Sequence, residues 1–345
     1  DGRFSTPATD VTFGGRTEWG DNSRIPFHVT SADLQESDRV LAGMMTAFGA
    51  PTNAITVGGT AEFSGVMTEA IGRPRIEGTF AARDLRAFDV NWGSGEAGLV
   101  IQNSYADVTG GRMQKDGGEI VVNGRFSLGF PRRDRGEEIN GRVHVTTWTA
   151  ADFKHAFEIE DYDVEGILSG EYHLYGPYQG PFGFGTLTMD KGVAYGEPFD
   201  TASGSLRFEG NGVRIDGIQL RKGGGTAEGA AFIGWNGTYS FNATGRRIPM
   251  ESVKATAYPE TPLTGLLEFN ADGNGTFEVP RYQFRGRIRD LFVLDEGIGE
   301  VTGRLDVRGD VMALEVEAAS PRLAVSGTGR VELSEARNVD LPLRF

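Results

Sequence analysis

Between Gly118 and Pro131 the chain reads G-E-I-V-V-N-G-R-F-S-L-G-F-P. Ile120, Val122, Gly124, Phe126, Leu128 and Phe130 occupy the even positions. Apart from Val121, the odd positions are polar or glycine: Glu119, Asn123, Arg125, Ser127 and Gly129. Side chains alternate across a strand, so this stretch predicts a strand with one apolar and one wet face. That is the signature of a half-buried antiparallel strand. The expectation is that the even side chains of 120–130 share one face and that Glu119, Arg125 and Ser127 meet solvent.

The same alternation recurs. Leu206/Phe208, Leu267/Phe269, Tyr282/Phe284/Ile288, Leu305/Val307, Leu314/Val316 and Leu323/Val325/Val331/Leu333 each keep one parity. Ser205, Arg207, Arg285, Arg287, Arg289, Ser326, Arg330 and Glu332 keep the other. The Arg285–Arg289 run is therefore read as the wet face of one strand and not as a basic patch. The apolar set singled out as one surface is Ile120, Val122, Phe126, Leu128, Phe130, Leu206, Phe208, Leu267, Phe269, Phe284, Ile288, Leu305, Val307, Leu323 and Val325.

Short helices interrupt the strands. Ser31 is the expected N-cap of a helix over 32–47, with Leu34, Leu41, Met44, Met45 and Phe48 on one side to dock it. Thr149 is the expected cap of a second helix, with Asp152 at its third position. Trp148 and Phe153 are spaced for a hydrophobic staple, and Phe157 follows one turn on. Ile248–Val253 is a shorter third copy with Pro249 at its first helical position. A strand precedes each helix, at Ile25–Val29, Val143–Thr147 and Tyr239–Ala243, and Leu341–Phe345 repeats the first of these.

These elements repeat. The segments 57–78, 164–185 and 263–286 each carry glycine at the third position, proline near the end and a closing glycine. Gly78, Gly185 and Gly286 lie 107 and 101 residues apart, and Gly124, Gly229 and Gly327 lie 105 and 98 apart. The domain reading is a partial repeat 1–56, units 57–163 and 164–262, and a partial unit 263–345. A unit of about 100 residues with many strands suits a curled antiparallel sheet that grows by addition. The fold class expected is mostly β: an elongated, groove-like open sheet with short helices. A one-turn β-helix would repeat every ~20–25 residues. A membrane barrel would need strands of about 9–11 residues with aromatic girdles, and the strands expected here are mostly shorter.

Composition narrows function. Of 345 residues 51 are glycine, and these sit within strand patterns, where they permit strong bends and bulges. The net charge of -14 argues against nucleic acid and anionic membrane surfaces as partners. Zero cysteines exclude disulfides and thiolate metal sites. No apolar run reaches the ~20 residues of a spanning helix. No signal peptide is visible, and the chain starts and stops mid-pattern, as an excised fragment would.

Reaction chemistry finds no centre. His28, His144, His155 and His173 do not pair at metal-ligand spacing, and His28 and His144 fall on wet strand positions. The acidic run Glu158, Glu160, Asp161, Asp163 and Glu165 lacks the calcium-loop pattern and reads as a solvated loop. Gly183-Phe-Gly185 and Gly273-Asn-Gly275 lack the third glycine of a dinucleotide loop and read as turns. There is no G-x-S-x-G elbow. Neither a cofactor, a metal nor a catalytic residue is called for, and the protein is read as a non-enzyme.

The unit G-T-A-E-F-S-G…R-P-R-I-E-G-T-F-A-A-R-D-L (58–85), the pairs Asp33-Leu34 and Asp152-Phe153, and the glycine-bounded alternation over nearly the whole length carry a resemblance. Together they resemble the TamB/AsmA-like family of envelope proteins. The resemblance implies a β-taco rod with a hydrophobic groove, standing in the periplasm of a diderm bacterium. It implies an inner-membrane anchor outside this segment and phospholipid transport between the two membranes, with phospholipid acyl chains as the bound partner. It also implies outer-membrane protein assembly or secretion with a BamA-like barrel, docked through regions outside this segment. What carries over to numbered residues is the groove face alone. Two other readings stand beside it: a structural or adhesive β-repeat whose apolar face is a closed core, and a β-helical polysaccharide-active enzyme.

Overall fold

The computed structural model describes the chain except residues 18–21, 48–55, 71–72, 130–131, 157–159, 161, 257–259, 321–323, 334–338, 341 and 345. It is 71% strand and 8% helix: an antiparallel sheet that is not closed, with two short helices. The chain divides into two compact units, Asp1–Tyr162 with Leu168–Gly185, and Asp163–Ile167 with Thr186–Phe345.

The first unit runs β1 (Gly2–Ser5), β2 (Thr9–Phe13), β3 (Arg24–Ser31), α1 (Leu34–Ala47), β4 (Val57–Thr68), β5 (Arg75–Ala87) and β6 (Val90–Gln102). It continues through β7 (Tyr105–Lys115), β8 (Gly118–Ser127), β9 (Ile139–Thr149) and α2 (Ala150–Ala156). The division falls within β10 (Val164–Gly176) and β11 (Phe182–Ala194). The second unit adds β12 (Glu197–Pro198), β13 (Thr201–Glu209), β14 (Gly212–Lys222), β15 (Gly225–Gly234) and β16 (Thr238–Pro249). Two 3-10 turns follow, Met250–Ser252 and Lys254–Thr256. It closes with β17 (Leu263–Thr276), β18 (Arg281–Val293), β19 (Glu296–Arg308), β20 (Val311–Ala319), β21 (Ala324–Glu332), β22 (Val339–Asp340) and β23 (Leu343–Arg344).

Neighbours in sequence pair antiparallel: β1 through β9 in the first unit, and β13 through β21 in the second. The principal strands are longer than the alternation suggested, up to the 14 residues of β17. β-Bulges explain why: the ladder shifts register at Ala82/Leu85 and Ile288/Leu291, and parity breaks there while pairing continues. Strand length alone therefore does not separate this sheet from a barrel; its failure to close does. Gly183, Gly185, Gly273 and Gly275 lie inside β11 and β17, not in turns. A Cβ at Gly273 would come within 2.6 Å of the Phe241 ring, so the glycine serves close packing.

The repeat has a backbone counterpart. Asp84, Lys191 and Asp290 all take left-handed φ near +50°, and they lie 107 and 99 positions apart. So do Phe88, Tyr195 and Leu294, each at a hairpin tip. The Tyr195 N–H donates to the Asp163 carbonyl at 2.7 Å, and the Leu294 N–H donates to that of Pro262 at 3.0 Å, the same bond one unit later.

The helices form as read, with adjusted caps. Asp33, not Ser31, caps α1: its Oδ1 accepts the Gln35 N–H at 3.0 Å. Ser31 is instead buried and accepts the Ser37 hydroxyl. Leu34 is half-buried as expected and Ala42 is buried, while Leu41, expected to dock, is 47% exposed. Phe48 lies outside the described residues, as do the side chains of Met44 and Met45. Thr149 Oγ1 accepts the Ala151 N–H at 3.3 Å, as a cap should. Phe157 lies outside the described residues. In the third copy Pro249 precedes the turn and Met250 opens it.

The packed core of the first unit gathers beside α2. Trp148 is 2% exposed, and the Trp92 ring lies 6.0 Å from it and 5.8 Å from Phe153. Ile120 and Val145, paired across β8 and β9, are buried alongside Val90. Asp152 ties this corner together, accepting from Trp148 Nε1 at 3.0 Å and Lys115 Nζ at 2.8 Å. The expected staple pair thus closes through Trp92.

Candidate functional site: the apolar face

Residues directly opposed in an antiparallel ladder point to the same side, so the register fixes both faces. In the first unit one row passes through Val29, Phe63, Phe80, Ala97 and another through Ala106, Phe126, Ile139. In the second unit Ala271, Phe284, Leu305 and Leu314 are consecutive partners, and so are Leu267, Ile288, Val301 and Ala318. Leu206 faces Ile215, and Phe208 faces Val213. One face of each unit is thus apolar strand after strand.

The opposite face is charged and internally paired. Arg125 binds Asp107 at 2.7 Å and holds its carboxyl below the usual range. Arg112–Glu119, Arg207–Asp216 and Arg289–Glu268 pair in the same way across strands. The arginine run of β18 lies on this face, as expected. His28, His144 and His155 are exposed and bond to Ser64, Glu171 and Glu160, and His173 bonds to Asn140. Among the described residues no three His, Asp or Glu converge as a metal site.

Exposure distinguishes a core from a surface. Val122, Phe126, Leu128, Leu206, Phe208, Leu267, Phe269, Phe284, Ile288, Leu305 and Val325 are all half-buried. Ile120 and Val307 are buried, at 2% and 1% exposure; Ile120 pairs with the buried Val145, and Val307 lies between Tyr282 and Met312 in the ladder. Phe130 and Leu323 lie outside the described residues. Leu128 also leaves the ladder: β8 ends at Ser127, whose N–H donates to Glu138 O and whose hydroxyl donates to Gly129 O. Ser127 is therefore buried, against expectation, because a bend turns it inward.

Half-burial has a local cause. The large rings lie down on glycines of the sheet rather than standing up toward a second layer. A Cβ at Gly141 would meet Phe126 Cζ at 3.0 Å, one at Gly286 would meet Phe284 at 2.7 Å, and one at Gly245 would collide with Phe269. Phe269 and Phe284 stack on each other at 5.2 Å. Sequence reading saw the glycines as bends and missed this tiling, for which ladder partners are needed.

Two hollows among the described residues, of 660 and 470 Å³, are lined chiefly from the charged face of β18 to β21.

No protein-family model, curated protein or solved structure matches this chain.

Proposed function

We propose that the apolar face carries the acyl chains of phospholipid, and that the protein is a non-enzymatic lipid conduit of a diderm envelope, working in the periplasm between inner and outer membranes. The observation that carries this reading is the half-burial of Phe126, Phe284 and their neighbours in unbroken cross-strand rows. A closed core would bury them, and an ordinary wet face would not assemble them. If half of each methylene is covered, about ten methylenes contribute ~4 kcal/mol, which holds a tail at roughly millimolar affinity and lets it slide. The pattern resemblance to the TamB/AsmA-like family supports the envelope setting and a link to outer-membrane protein assembly through a BamA-like barrel.

The test is mass spectrometry of lipid extracted from the purified protein, compared with Phe126→Asp and Phe284→Asp. The reading predicts phospholipid with the parent chain and much less with folded variants. A parent chain purified without lipid, and taking none up from vesicles, would count against it.

A further inference from the structure

The charged face holds a feature that its ion-pair pattern leaves unresolved. Arg285 on β18 and Arg304 on β19 are direct ladder partners. Like charges placed opposite each other destabilise a sheet. Three arginines of this face are paired: Arg287 with Glu300, Arg289 with Glu268 and Arg308 with Asp306. Arg285 and Arg304 make no ion pair among the described residues. One strand further, Glu315 is the direct partner of Arg304, and Glu317 is the next residue of that face; neither is bridged to a cation. All four line the 660 Å³ hollow, with the hydroxyls of Ser326 and Thr328 on its far wall.

Two open guanidinium groups beside two open carboxylates, about one strand spacing of 5 Å apart, is a complementary pattern for a ligand with both charges. We propose that this hollow binds a small dipolar ion. Its oxyanion end, a phosphate or carboxylate, lies between Arg285 and Arg304, where charge-assisted bonds offset their repulsion. Its ammonium end is taken by Glu315 and Glu317, with Ser326 and Thr328 as further acceptors. The site lies on the opposite face from the acyl-chain surface and stands or falls independently of it. Free solute and lipid head group share this chemistry.

Thermal shift and calorimetric titration with phosphoethanolamine, inorganic phosphate and ethanolamine test the site, carried to about 10 mM so that a millimolar site saturates. The expected result is saturable binding of phosphoethanolamine, weakened at least tenfold by Arg304→Gln and by Arg285→Gln. Glu315→Gln weakens phosphoethanolamine while sparing inorganic phosphate. Both arginine substitutions relieve a like-charge contact, so the variants fold. Vesicles containing phosphatidylethanolamine form the second arm: binding lost in the same variants assigns the site to a head group, and soluble binding alone assigns it to a solute. Absence of saturable binding in both arms, or binding that the arginine variants leave unchanged, overturns the proposal.

Discussion

Replacing Phe284 by aspartate separates an open apolar face from a closed core. Phe284 sits mid-strand between Ala271 and Leu305, half-buried, with its ring stacked on Phe269 at 5.2 Å. Removing a ring that is about three-quarters covered forfeits about 150 Å² of burial, or ~4 kcal/mol. The lost ring pair adds roughly 1 kcal/mol. Phe284→Ala should therefore cost about 5 kcal/mol, lowering Tm by some 10–20 °C for a unit of this size. The informative quantity is the further cost of Phe284→Asp. On an open face the carboxylate keeps its water, and the added cost stays near 1 kcal/mol, mostly strand propensity. In a closed core an unpaired carboxylate adds several kcal/mol more, near the whole stability of a domain. Val307→Asp serves as the buried control, since Val307 is 1% exposed; it should unfold its unit. Urea melts followed by circular dichroism give all three values. If Phe284→Asp were as damaging as Val307→Asp, the open-face argument would be refuted.

Other outcomes follow from named contacts. Asp152→Ala strips both Trp148 Nε1 and Lys115 Nζ of their acceptor, so it should cost about 1–3 kcal/mol and red-shift tryptophan emission; Asp152→Asn should cost less. Gly245→Ala places a methyl where the Phe269 ring lies, and should cost about 1–3 kcal/mol, with Phe269→Leu in the same chain recovering part of it. Burial pushes the Tyr172 hydroxyl up to about 12 from an ordinary 10. A raised folded-state pKa gives stability that is complete below pH 10 and lost as pH rises toward 12. Tyr172→Phe should therefore flatten part of the alkaline limb of a Tm–pH curve between those values, and an unchanged limb would discount the burial argument.

Parity along the chain made the strands and their two faces legible, because a period of two survives wherever one face is apolar. It failed where ladder geometry intervenes. Ser127 keeps wet parity and is buried, because the chain bends after it. Ile120 and Val307 share parity with Phe126 and Leu305 but are fully buried, and nothing along the strand marks that difference. The second helix was readable from Thr149 and the Trp148/Phe153 spacing. Its third ring, Trp92, lies on β6, which only the tertiary fold brings to it. The arginine run of β18 was correctly placed in water. That Arg285 faces Arg304 is a matter of register between two strands, and composition is silent on it.

Lipid tails on the apolar face are tested by photolabelling with a phospholipid carrying a diazirine on its acyl chain, followed by peptide mapping. Adducts are expected on Phe126, Phe284, Leu305 and their cross-strand neighbours, with Arg112, Arg125 and Arg207 left unlabelled. Equal labelling of both faces, or none on either, would contradict that placement.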